Sequence, residues 1–66
     1  MNLTPGDLVQ YRNDPGRLAI IINVETKENG AVYELIIVYD KNYPNTVGEK
    51  RYTHEDYWIK IPQKPI

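Results

Sequence analysis

The sequence predicts an all-β fold of five short strands, and three observations predict it. Val, Ile and Thr together number seventeen, whereas alanine occurs only as Ala19 and Ala31, a bias towards side chains that suit a pleated surface. No stretch keeps a helical period. Two β-rich runs, residues 17–27 and 31–40, flank Asn29-Gly30, the dipeptide best suited to a two-residue hairpin turn.

Each element follows from local chemistry. Thr4-Pro5-Gly6-Asp7 is a turn signal, and residues 7–12 after it alternate as a first strand with Val9 and Tyr11 inward. Asn13-Asp14-Pro15-Gly16 breaks the chain, because Pro fixes φ and Gly tolerates a tight reversal. With Asn29 and Gly30 as the turn, Thr26 faces Tyr33, Val24 faces Leu35, Ile22 faces Ile37 and Ile20 faces Tyr39, all on one face, which periodicity selects as the core. The opposite face then holds Ile21 against Val38, Asn23 against Ile36 and the like-charge pair Glu25 and Glu34. Residues 40–49, rich in Asn, Pro and Gly, read as a surface loop with Tyr43 near its tip. A short strand at 50–53 follows. Thr53-His54-Glu55-Asp56 resembles a capping-box spacing and starts one 3₁₀ turn through Tyr57. The last strand is 58–61, with Ile59 and Ile61 inward, and Pro62 and Pro65 end the ladder in a short tail at 62–66.

Composition bounds the function. Sixty-six residues form one domain, spanning 1–66, and 26% charged residues with a longest apolar run of Leu18 to Ile22 exclude a membrane span. No secretion signal is visible, so the expected location is cytoplasmic and the Asn2-Leu3-Thr4 sequon reads as chance. Cysteine is absent, which removes disulfides, thiolate metal sites and cysteine nucleophiles. The net charge of -1 argues against a surface built to neutralise many phosphates, although residues 41–66 carry five basic against three acidic groups. No cofactor or metal is expected. His54, Glu55 and Asp56 are consecutive and do not converge on a point, so they read as a structural cap. There is no Ser, no Thr in a nucleophile elbow, and Gly6, Gly16, Gly30 and Gly48 are isolated turn residues rather than a phosphate cradle. The chain is not expected to be an enzyme.

Five short strands, a long central hairpin and one turn before the last strand resemble the SH3-like small β-barrel. Pro5-Gly6-Asp7-Leu8-Val9, then Gly16 and Ala19-Ile20-Ile21, looks like the start of KOW-type and Tudor-like barrels, with Ala19 where such sequences often have Gly. Gly48-Glu49 and a late Glu55-Asp56 are also similar to small barrel proteins encoded by tailed phages. The resemblance implies a closed five-stranded barrel with one 3₁₀ turn, filled by Tyr11, Tyr39 and Tyr52. It leaves Tyr33, Tyr43, Tyr57 and Trp58 for a ligand-facing cluster, as SH3 domains grip polyproline and Tudor domains cage methylated cations.

Two surfaces are candidates. The outer face of the hairpin would carry an apolar strip of Ile21, Ile36 and Val38, either covered by barrel curvature or offered to another protein or a second copy of this chain. A basic and aromatic interleave of Lys50, Arg51, Tyr52 and His54, with Lys41 nearby, suits a nucleic-acid strand, weakened by Glu49, Glu55 and Asp56. Pro62-Gln63-Lys64-Pro65 matches a minimal PxxP. The expectation is a non-enzymatic module with a protein partner, such as a phage accessory or host-modulating protein, with a lean towards self-association. The alternatives are a KOW-type nucleic-acid module of transcription or translation and a small virion component.

Overall fold

Five strands form one antiparallel sheet in a computed structural model that describes residues 3–61: β1 (Leu8–Tyr11), β2 (Asp14–Lys27), β3 (Gly30–Asp40), β4 (Lys50–His54) and β5 (Trp58–Lys60), in the order β4-β3-β2-β1-β5. The sequon residue Asn2 and the 62–66 tail with its PxxP lie outside the described residues. Two 3₁₀ turns interrupt the strands. One, Glu55–Tyr57, stands where the sequence predicts it, and the other, Pro44–Thr46, lies in what reads as plain loop. The cap of the first is His54, whose Nδ1 accepts from the Asp56 N–H, and not Thr53. No helix among the described residues is long and apolar enough to cross a membrane.

The central hairpin forms, but in another register. A turn centred on Asn29-Gly30 would need positive φ at Asn29. No described residue other than glycine has positive φ, and Gly30 alone takes +117° after Glu28 and Asn29. The ladder therefore closes at Lys27 with Gly30 and pairs Val24 with Tyr33. Two irregularities follow. One between Ile21 and Asn23 leaves Ile22 unpaired and reverses the alternation of β2, so that Ile21 meets Leu35 and Ala19 meets Ile37. The other, between Leu18 and Ala19, leaves Val38 unpaired.

The reversal decides the core. Val9, Ala19, Ile21, Tyr33, Leu35, Ile37 and Trp58 are buried, with Leu3, Tyr11, Val24 and Ala31 packed against them. The expected inward residues Ile20, Thr26, Tyr39 and Ile59 are instead exposed, and Ile22 is half-buried. Trp58 takes the inward place in β5, because Tyr11 pairs with Trp58 and Gln10 with Ile59. Tyr52, expected in the interior, pairs with Glu34 on the opposite face.

Both edges of the sheet meet over the core without sharing a ladder. Trp58 Nε1 on β5 donates to Thr53 Oγ1 on β4, and the turn between them is tied to β1 by the Arg12 N–H donating to the Tyr57 carbonyl at 2.8 Å. The sheet is curled rather than closed, and among the described residues β4 and β5 remain its two edges.

Candidate interaction surface

The outer face of the sheet carries apolar side chains in register. Leu8 on β1 pairs with Ile20 on β2, and Ile20 pairs with Ile36 on β3, a row across three strands opposite the buried row Val9, Ala19 and Ile37. Leu18 pairs with Tyr39, and Gln10 sits between Leu18 and Ile59. Exposure along this face reaches 36% at Ile20, 38% at Val38, 43% at Ile59 and 50% at Tyr39. The strip expected from the sequence is thus present with a different membership. Ile36 is half-buried and Val38 exposed on it, whereas Ile21 is fully enclosed, since the β2 irregularity turns it indoors and Ile20 out.

The aromatic residues do not gather as one cluster. Tyr33 and Trp58 are buried. Burial, followed by the nearby carboxylates of Glu55 and Asp7, raises the Tyr33 hydroxyl above the ordinary phenol value. Tyr57 is exposed and stacks on Tyr11 at 6.2 Å between centroids, and Tyr11 meets Trp58 edge-on at 5.2 Å. Tyr43 is exposed in the 41–49 loop. A cleft of about 440 Å³ lies between Thr4, Pro5, Ala31, Tyr33 and Glu55, and a second of about 330 Å³ adjoins it past Tyr33 towards Arg12, Trp58 and Lys60.

The basic residues of the expected nucleic-acid surface do not share one side of the sheet. Lys50 and Tyr52 lie on the outer side of β4, opposite Ile36 and Glu34, and Arg51 on the inner side, opposite Leu35. Arg51 pairs with Glu49 at 2.6 Å, and the Glu34 carboxylate raises the Tyr52 hydroxyl by its charge and as a hydrogen-bond partner. Lys41 follows the other end of β3, where its N–H donates to the Gly16 carbonyl at 3.0 Å. His54 is spent on structure. Its Nε2 lies 2.7 Å from the Asn29 carbonyl, and Glu55 Oε2 accepts from the Ala31 N–H, so the β4 to β5 connection clasps the hairpin tip. Gly30 permits this approach, since a Cβ there would lie 2.8 Å from Glu55 Oε2 and 2.9 Å from His54 Nε2. Among the described residues no group of three or more His, Cys, Asp or Glu could hold a metal ion.

Asp40, which sequence reasoning passed over as a loop residue, is the buried hub at the opposite end of the hairpin. It accepts from Arg17 Nε at 2.8 Å and from the N–H groups of Asn42 and Tyr43 at 3.1 and 3.0 Å, and it thereby shapes the loop leading to Pro44. Burial works to raise its pKa, but the Arg17 bond and the two N–H donors outweigh it and hold the carboxyl below its ordinary value. The Arg17 guanidinium lies 5.1 Å over the Tyr11 ring, which joins this hub to the aromatic stack. The one sequence signal for it was an Asp at the end of a strand before Asn42 and Pro44, a pattern shared by many exposed turns.

Comparison of the chain with family models, with curated proteins and with solved structures finds no match.

Proposed function

We propose that this chain is a non-enzymatic binding module that docks a protein partner on the outer face of its sheet, with the fold being a small SH3-like barrel drawn together by Trp58 and Thr53. One observation carries the reading: the row Leu8, Ile20 and Ile36, flanked by Val38, Tyr39 and Ile59, leaves branched and aromatic carbon facing water where a sheet of this kind ordinarily alternates to polar residues. The strand order and the 3₁₀ turn before β5 support the barrel reading. An accessory or host-modulating protein of a tailed phage is the setting to which the resemblance points. The polar cluster at His54 serves as a clasp, which leaves surface presentation as the role the side chains suit.

The test is paired capture with the intact protein and an Ile20→Lys, Val38→Lys variant whose fold is verified by circular dichroism. A protein retained by the first and lost from the second supports the docking face, and equal retention refutes it. Retention that falls steeply as salt rises would mark phosphate contacts and the nucleic-acid alternative, because an apolar contact does not weaken that way.

A further inference from the structure

We propose that Asn29 deamidates through a cyclic imide in the folded protein, assisted by His54. The Gly30 amide nitrogen gives up its proton to solvent base and attacks the side-chain carbonyl carbon of Asn29. A new C–N bond forms, the side-chain amide C–N bond breaks, and ammonia leaves. Water then opens the five-membered ring at either carbonyl, to give aspartate or isoaspartate at position 29. One water is consumed for one ammonia released, and nothing is oxidised or reduced.

Three features of the tip favour the step. Asn29 is exposed and is followed by a residue without a Cβ, so no side chain of residue 30 hinders the attacking nitrogen. Lys27 and Gly30 are the closing pair of the ladder, so the Gly30 amide lies at its end and not within it. The third feature is specific to this fold. When the Gly30 amide loses its proton, the charge is shared with the Asn29 carbonyl oxygen, and that oxygen lies 2.7 Å from His54 Nε2. Nδ1 lies 3.2 Å from the Asp56 N–H nitrogen and 3.4 Å from Asp56 Oδ2, and the tautomer in which Nδ1 accepts from that N–H carries its proton on Nε2, pointed at the oxygen that becomes negative. A donor fixed on an oxygen where charge develops lowers the barrier. The Glu55 carboxylate beside it is held by the Ala31 N–H.

The product differs in charge and in shape. A new carboxylate would stand between Glu28 and the clasping Glu55. The isoaspartyl form would add a methylene to the backbone, carry the carbonyl off His54, and loosen the wall that Gly30, Ala31 and Glu55 give the larger cleft.

The experiment follows the intact chain at neutral pH, folded and in concentrated urea, by peptide mapping that separates aspartate from isoaspartate. Folded protein should convert at Asn29 at least as fast as the unfolded chain. His54→Leu should slow the folded rate several-fold, and His54→Gln, whose amide can donate at the same place, should restore it. Asn29 that survives in the folded protein while it converts in urea overturns the proposal, whatever the variants do. A His54→Leu variant, folded by circular dichroism, that converts at the wild-type rate overturns it as well.

Discussion

The two faces of this sheet are chemically alike and physically opposite. Val9, Ala19 and Ile37 run across β1, β2 and β3 on one side, and Leu8, Ile20 and Ile36 run beside them on the other, with only a residue's step between the rows. The first row is buried and Ile20 in the second is exposed, although the exposed row carries the larger side chains. Hydrophobicity therefore does not choose the inside. The choice is made by what covers a face: Trp58 from one edge, Tyr11 with Arg17 at one end and Leu3 near the other cover the inner side.

The sharpest way to break the comparison is to truncate neighbours that point in opposite directions. Ile21→Ala should cost about 2–4 kcal/mol, since the side chain is fully enclosed and its removal leaves a cavity. A domain of this size has a total stability of only about 3–5 kcal/mol, so that variant should be largely unfolded at modest urea. Ile20→Ala should cost no more than about 1 kcal/mol. Urea melts of the two variants check both, and equal losses would mean that both faces are covered.

Much of this contrast was hidden in the sequence for a definable reason. The number of strands, the 3₁₀ turn before β5 and the inward set Tyr33, Leu35 and Ile37 of β3 are legible, because β3 keeps strict alternation between its turn and Ile37, whereas β2 begins at Asp14 and runs through the Pro15-Gly16 that reads as a break. On β2 the same rule points the right way at Val24 and fails from Ile21 onwards, because one unpaired residue at Ile22 reverses parity. In the run of five consecutive apolar residues, Leu18 to Ile22, either parity reads as well as the other. The turn was misplaced by a residue for a similar reason: Gly30 can supply positive φ as the second residue of a two-residue turn or as the residue after it. Parity on β2 therefore points Ile21 to a surface it does not reach, while the ligand-facing placement of Tyr33 and Trp58 follows the resemblance and not the alternation. The hub at Asp40 was invisible because its partner, Arg17, is remote in sequence.

A second prediction tests whether that hub helps to close the inner face. The folded state holds the Asp40 proton less readily than the unfolded chain, whose aspartates titrate near 3.9, so the hub stabilises the fold fully above about pH 4. That contribution drains away as pH falls through the lowered folded value. Asp40→Asn should lower the melting temperature at neutral pH and make its further decline towards acid shallower. Some decline should remain, because the Thr4 N–H, against a burial effect of opposite sign, also holds the Asp7 carboxyl below its ordinary value, with Lys60 assisting. Parallel curves for the two proteins across pH 2 to 6 would show that Asp40 does not couple to folding.

The smallest predicted effect concerns the join between the two edges, on which the distinction between a curled sheet and a barrel depends. Trp58 contributes both a ring to the core and an indole N–H to Thr53, and a single substitution cannot separate them. A double-mutant cycle can. Trp58→Phe keeps an aromatic ring inward and removes the donor, Thr53→Val keeps the shape and removes the acceptor, and the pair together leaves no polar group unmatched. The coupling should be about 1 kcal/mol, the net worth of one hydrogen bond, whereas each single change should cost more than its half of that because it strands a partner in a half-buried place. A coupling near zero would mean that the bond from Trp58 to Thr53 does not draw the two edges together, and then Thr53→Val alone should leave the inner face intact.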